Sequence, residues 1–461
     1  MPRPYDLILY GVGYTGRLTA RYLARAAPPT LKWALAARNA SKLETLRAEL
    51  LRDFPSLSAL PVMVADSDAQ GATLVASSAR VVISTAGPFA LCGSELIGAC
   101  ARLGTHYADA TGETFWAREM EIQHGAAAKA SRAIIVPLSG FDSVPSDLGT
   151  LFVVEAARAQ NDRVDSVLAV AHMRGSLSGG TTATAFNMAA SPDARSASAD
   201  PLLLVPGESA AARAELAAAV PDVRSPERVP SLGASVWTTN HVMASINTRV
   251  VRRSAALFRS QGEALREGSI AGSAALRSAL PRPLPNAGNG KDDYAFSLAP
   301  FAYDERALTR SWWSAFTRNT MAKVISIALS PLFAPCVRPL LPKQGEGPSD
   351  ADAAKCWFKL FLVGHKEGTP VDADPVVCCV SGADPYVATG HSLAETGLLL
   401  VEASVNDKIE DLPASAFGYG FLTPATALGL KLVDRLNATG MKFETFSTLA
   451  AATAAASPRA K

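Results

Sequence analysis

The segment Tyr5-Asp6-Leu7-Ile8-Leu9-Tyr10, followed at once by Gly11-Val12-Gly13-Tyr14-Thr15-Gly16, decides how this chain of 461 residues is read. A strand-length run leads straight into a GxGxxG spacing, and Arg17–Ala26 continues as a helix that stops before Pro28-Pro29. Strand, glycine-rich turn and helix in that order make a dinucleotide site. Gly11 permits the tight turn, Gly13 lets the backbone approach a pyrophosphate, and Gly16 lets helix and strand pack closely. Tyr14 and Thr15 open the helix, whose N-terminal N–H groups face the phosphates. An acidic residue about 20 positions further on holds a ribose 2′-hydroxyl in NAD sites. Here Arg38 stands 22 positions after Gly16, followed by Asn39, Ser41 and Lys42. Cationic and hydroxyl groups suit a 2′-phosphate, so NADP(H) is expected over NAD(H). Asp66, ending the third strand, is placed near the adenine or else caps the next helix.

Outward from that segment, apolar strand-length runs recur at Tyr5–Tyr10, Leu31–Ala37, Pro61–Ala65, Arg80–Thr85, His106–Ala110 and Ala133–Leu138, separated by helix-length segments. Such alternation marks βαβ units and a parallel sheet. The fold class expected is therefore α/β: an N-terminal Rossmann domain, with a doubly wound parallel sheet, over residues 1–148, and a second α+β domain with surface insertions over 149–383. In the second domain Asp165–Met173 and Tyr294–Tyr303 read as strands, and Cys356–His365 with Val376–Ser381 as an antiparallel hairpin. The stretch Ser191–Ser235 reads as a mobile surface excursion. Helices in 384–450 are expected to pack back on the first domain, and 451–461 to fray. Small residues closing the fourth strand leave room for a nicotinamide beside Ala86, Gly87 and Pro88.

Composition narrows the functional classes. With 48% hydrophobic and 19% charged residues the chain is globular, and 44 Lys+Arg against 42 Asp+Glu give no basic surface for nucleic acid. Small-molecule partners are expected, with a homodimer as the assembly. Six cysteines lack a CxxC spacing and read as reduced thiols in a cytoplasmic setting. Six histidines show neither HExxH nor clustering, so no metal site is expected. No secretory signal is read at Met1-Pro2-Arg3-Pro4. The apolar run Val324–Val337, broken by Pro331 and Pro335, is too short to span a bilayer, which takes about 20 residues; it reads as a core helix or as a lipid-surface contact.

Polar groups cluster after strands or at helix starts in Asp109–Glu113, Ser139–Asp147 and Ser176–Thr182. Ligands bind outside the carboxyl ends of strands in such sheets, although Ser143, Ser146 and Thr181 also read as helix caps. Arg249, Arg252 and Arg253 share one side of a helix and read as solvated charge or as a carboxylate site.

These residues resemble the saccharopine dehydrogenase-like oxidoreductases, a group that includes bacterial trans-acting enoyl reductases. The resemblance rests on YGVGYTGRL, AARNASKL, STAGPFALCGSELIGAC, YADATGE, SGFDSVPSDLG, SGGT, DPYVATGHSLAE and GFLTPATALG, spread from Tyr10 to Gly429. SGFDSVPSDLG and GFLTPATALG separate the group from true saccharopine dehydrogenases. The resemblance implies a Rossmann domain, a second domain over the nicotinamide, and hydride transfer. Animal members of the group are associated with lipid droplets, which bears on Val324–Val337. Tyr386 departs from the glycine common at that position. The leading expectation is NADP-dependent reduction of an activated C=C in an apolar, acyl-chain-like substrate. Asp142 is the expected catalytic group with Ser143 beside it, and Glu113 and His172 stand in reserve. The alternatives are a saccharopine-type amino-acid dehydrogenase, served by the three arginines, and a non-catalytic NADP-binding lipid-surface scaffold.

Overall fold

The computed structural model describes residues 3–57, 60–175, 177–207, 213–214, 226–229, 236–266, 301–370, 374–448 and 451–452. Six strands, β1 (Tyr5–Tyr10), β2 (Trp33–Ala37), β3 (Val62–Val64), β4 (Ala79–Ser84), β5 (His106–Asp109) and β6 (Ile134–Val136), pair in parallel in the order 6-5-4-1-2-3. This is the doubly wound order, and its reversal lies between β1 and β4. Strand parity shows why both faces must be covered. Leu7 and Leu9 belong to one apolar cluster, Ile8 and Tyr10 to another. The first cluster is shared with Leu393 and Leu400 of the helix Pro385–Val405, the second with Leu96 and Ile97 of Ser94–Leu103.

The second sheet is built from β7 (Val164–Arg174), β8 (Glu227–Arg228), β9 (Trp237–Asn240), β10 (Ala302–Thr309), β11 (Trp357–Lys366) and β12 (Val376–Gly382). Among the described residues of this sheet only β7 and β10 pair in parallel; β11 and β12 form the expected antiparallel hairpin. The strand expected at Tyr294–Tyr303 begins at Ala302 and runs on to Thr309, while 294–300 lie outside the described residues. Part of the 191–235 stretch is the helix Pro192–Ala199.

The C-terminal segment adds one strand to each sheet: β13 (Gly420–Phe421) pairs with β6, and β14 (Lys442–Phe446) with β12. The helix Val144–Ala159 runs through the expected boundary at residue 148 and lies against the second sheet. A side chain on Gly149 would begin only 3.0 Å from Val380 and 3.1 Å from Leu362. Both sheets thereby share one apolar cluster.

Candidate active site

Gly13 precedes the helix Tyr14–Ala26 without a side-chain cap, so its first-turn N–H groups face outward for a ligand. Nothing lies within 4 Å of where a side chain on Gly13 would begin. Gly11, by contrast, has φ +112°, and a Cβ there would stand 2.6 Å from Thr85 Oγ1, which donates to the Gly11 carbonyl at 3.1 Å. A Cβ on Gly16 would run into that same carbonyl. Closed under two glycines and open over the third, the turn fits a dinucleotide pyrophosphate.

At the end of β2, Asn39 Oδ1 accepts the Lys42 N–H at 2.9 Å and caps the helix Ala40–Asp53. This places Ser41 and Lys42 in an exposed first turn beside exposed Arg38. No hydrogen bond or ion pair holds the Arg38 guanidinium among the described residues. Asp66 is exposed at the end of β3, and the cap of the next helix is Asp68, whose carboxylate accepts the Gly71 N–H at 2.8 Å.

The second domain reaches over this cleft. Gln344 Nε2 donates to the Gly87 carbonyl at 2.8 Å, and the Gly179 N–H donates to the Glu346 carbonyl at 2.9 Å. Gly347 lies flat against the Tyr14 ring, whose hydroxyl burial pushes up to about 12. Tyr386, the departure from the family pattern, meets Tyr14 edge-on at 5.5 Å between ring centres. Its hydroxyl accepts the Ser178 N–H at 2.8 Å and bonds the Thr181 hydroxyl at 2.8 Å. Ser178 in turn caps the helix Gly179–Ala190.

The Ser139–Asp147 loop returns over the end of β5: the Ser139 N–H donates to the Asp109 carbonyl at 2.8 Å. Asp142 Oδ2 ends up 3.5 Å from where a side chain on Gly112 would start. Asp142 lines a small, partly open pocket whose apolar wall includes Phe141, Met173, Phe358 and Leu360. Burial raises its carboxyl to about 6, the nearby Glu305 charge adding to the rise and His241 opposing it.

Three polar lining residues, His241, Asn247 and Glu305, escaped the sequence reading. Glu305 is enclosed by four donors. His241 Nδ1 lies at 2.7 Å, Asn247 Nδ2 at 2.8 Å, Ser146 Oγ at 2.8 Å and the Tyr303 hydroxyl at 2.6 Å. These bonds hold its carboxyl below the ordinary range although burial pushes the other way. A signal was present: Glu305 shares strand parity with the buried Tyr303 and Ala307, an inward position where an acid is costly without partners.

Several expectations are corrected. Ser143 does not line the pocket and makes no side-chain cap; it is buried and donates to Asn247 Oδ1 at 3.3 Å. Glu113 accepts the N–H groups of Phe89 and Ala90 at 2.8 and 3.0 Å, capping a short helix rather than standing free as an acid. His172 lies between Ala171 and Met173, which face the pocket, so it points to the opposite face, where it meets Trp357. The three arginines are buried rather than solvated. Arg253 takes both Glu121 oxygens at 2.8 Å, Arg252 the Tyr303 carbonyl at 3.1 Å and Arg249 the Asp200 carbonyl at 3.2 Å. None is left to hold a substrate carboxylate in the way the amino-acid dehydrogenase alternative needs. The two stretches that mark the family meet each other: Asp147 accepts from the Ala425 N–H at 2.8 Å and from Ser254, which also bonds Thr423.

Residues 7–136 match the family described as the saccharopine dehydrogenase NADP-binding domain. A Mycobacterium tuberculosis protein, named by assignment only as a trans-acting enoyl reductase, is 34% identical over 96% of this chain and 98% of its own length. The chain belongs to the saccharopine dehydrogenase-like oxidoreductases. A Mycobacterium leprae protein named trans-acting enoyl reductase is 31% identical over 95% of this chain and 97% of its own. The solved apo saccharopine dehydrogenase (L-Glu forming) from Saccharomyces cerevisiae covers 96% of this chain and 100% of its own at 10% identity, with a TM-score of 0.48, too loose a likeness to argue from. The chain is thus a nicotinamide-dependent oxidoreductase. Among the described residues no group of His, Cys, Asp and Glu is arranged to hold a metal ion.

Proposed function

We propose that this oxidoreductase reduces the C=C of an enoyl thioester with NADPH, on an acyl chain drawn from a lipid surface. The observation that carries this reading is Asp142, a carboxyl raised to about 6 in a mostly apolar pocket folded over the end of β5. Strand β4 lies next to it, and an extended dinucleotide pinned at Gly11–Gly16 reaches across toward the β4 end. Bound there, the cofactor supplies a hydride. Asp142, in the protonated form that a carboxyl at about 6 holds increasingly as pH falls toward that value, donates a hydrogen bond to the thioester oxygen as it gains negative charge. Phe141, Met173, Phe358 and Leu360 exclude water and accept the chain beside the thioester. Exposed Arg38 and Lys42, with no acid at the end of β2, support a 2′-phosphate. The relatives' names support the reaction class.

The lipid surface is supported by the helix Trp312–Ala328 and the turns after it. Trp313, Leu332 and Leu340 are 70, 78 and 83% exposed, and residues 306–345 hold six Lys or Arg and no Asp or Glu. Turnover of NADPH with a panel of trans-2-enoyl thioesters of rising chain length tests the whole reading. Asp142→Asn is expected to bind NADPH normally by cofactor fluorescence and to lose roughly 10²-fold or more in turnover. An unchanged rate sends the search for the oxygen-binding group elsewhere.

A further inference from the structure

His241 precedes the helix Ala244–Arg266 and comes from no stretch that marks the family. Its side chain is only 8% exposed, its Nδ1 is bonded to Glu305, and among the described residues its Nε2 has no hydrogen-bond partner. An imidazole nitrogen left without a partner in a buried position is costly unless something else satisfies it. The ring lines the same pocket as Asp142. Glu305 is itself fixed by Asn247, Ser146 and Tyr303, so the ring is set by a carboxylate that cannot turn away. Histidine oriented by a buried carboxylate, its ring lining a cavity and its far nitrogen buried without a partner among the described residues, is an arrangement suited to proton transfer.

We propose that Nε2 of His241 protonates the α-carbon of the substrate, with Glu305 as the positioning residue that holds the ring. The proposal rests on the reductase reading above and divides the chemistry between two groups, Asp142 on the oxygen and His241 on the carbon. A hydride from the bound cofactor forms the new C–H bond at the β-carbon, and the C=C π pair moves toward the α-carbon and the thioester oxygen. That pair then takes the proton from the Nε2–H of the protonated ring, which is left neutral and regains a proton from water. Two electrons and two hydrogens are thus added across the double bond.

The deciding experiment uses the full chain, NADPH and a trans-2-enoyl N-acetylcysteamine thioester in D₂O. The native protein is expected to place solvent deuterium on one face of the α-carbon. His241→Gln should keep NADPH affinity within about twofold by cofactor fluorescence, lose roughly 10²–10⁴-fold in turnover, and scatter the deuterium in residual product over both faces. Loss of facial selectivity is a reading that a merely structural role does not move. Native turnover, or deuterium still on one face, overturns the proposal. Should circular dichroism show His241→Gln unfolded, Glu305→Gln decides: about tenfold slower turnover with normal NADPH binding supports the role, a native rate overturns it. A native protein that binds NADPH but reduces no enoyl thioester defeats the reductase reading and this proposal with it. An active native protein with an unaffected His241→Gln defeats this proposal alone.

Discussion

At the scale of single residues, the glycine-rich turn and the pocket obey different economies of contact. Gly11 and Gly16 are fixed by steric exclusion, because each closes against backbone or Thr85, whereas Arg38, Ser41 and Lys42 stand exposed with room for a ligand. Arg38→Asp is therefore expected to weaken NADPH far more than NADH, by an order of 1.5–3 kcal/mol for a lost charge-assisted partner. Titrating the variant and native proteins with both cofactors by fluorescence checks this. Equal native affinities for the two cofactors rule out the 2′-phosphate reading. In the pocket the deciding quantity is satisfaction of polar atoms: Glu305 has four donors while His241 Nε2 has none among the described residues.

At the scale of elements, the helix Trp312–Ala328 and the short helix Ala334–Val337 show what apolar composition alone leaves open. Ser311 and Ser314 form a capping box that starts the first helix. Its Trp312 and Phe316 stack on each other at 5.2 Å between centres, in solvent rather than in the core. No helix of the described residues is long and apolar enough to cross a membrane. Replacing exposed residues with acids reverses both the apolar and the basic character of the face, so Leu332→Glu with Phe333→Glu is expected to abolish flotation with phosphatidylglycerol vesicles. NADPH binding should stay native. Native protein that fails to float, or a variant that floats equally well, removes the lipid surface from the account.

At the scale of the whole molecule, the C-terminal segment ties the two sheets into one body. The helix Pro385–Val405 lies close against the first: a Cβ on Gly390 would stand 3.0 Å from the Thr19 backbone nitrogen, and one on Gly397 2.5 Å from Ile83. Glycine inside a helix costs about 0.5–1 kcal/mol relative to alanine, so close approach is the reason for both. Tyr22, Glu395 and Arg435 lace the same interface, with bonds of 2.5 and 2.7 Å. Gly390→Val is expected to destabilise the chain by about 1–3 kcal/mol, since backbone atoms cannot move aside as a side-chain tip can. Gly125→Ala, in the helix Thr114–Ala130 where the new methyl meets only the flexible Glu121 at 3.7 Å, should stabilise by about 0.4–1 kcal/mol. Urea unfolding of both variants checks the pair. Unchanged stability in Gly390→Val shows the interface to be looser than described.

The sequence by itself determined the parallel sheet and the glycine-rich turn after its first strand. Each of these is written locally: a strand-length apolar run, glycines at fixed offsets, a helix signal, and the residue types after β2. It also singled out the loop that carries Asp142, because polar groups after a strand end stand out against apolar neighbours. The tertiary structure alone decided the rest. The seventh strand is two residues long, Gly420–Phe421, and acquires its identity only by pairing with β6. Glu113, His172 and the three arginines were indistinguishable from catalytic groups in one dimension; a cap, a strand parity and a set of buried carbonyls assign them elsewhere. His241 and Glu305 are 64 positions apart, and nothing in either segment names the other as its partner. Their pairing follows from the antiparallel ladder of β9 and β10, which sets Asn240 opposite Arg306 and so brings His241 to Glu305, a long-range contact that neither hydrophobic period nor local turn chemistry encodes.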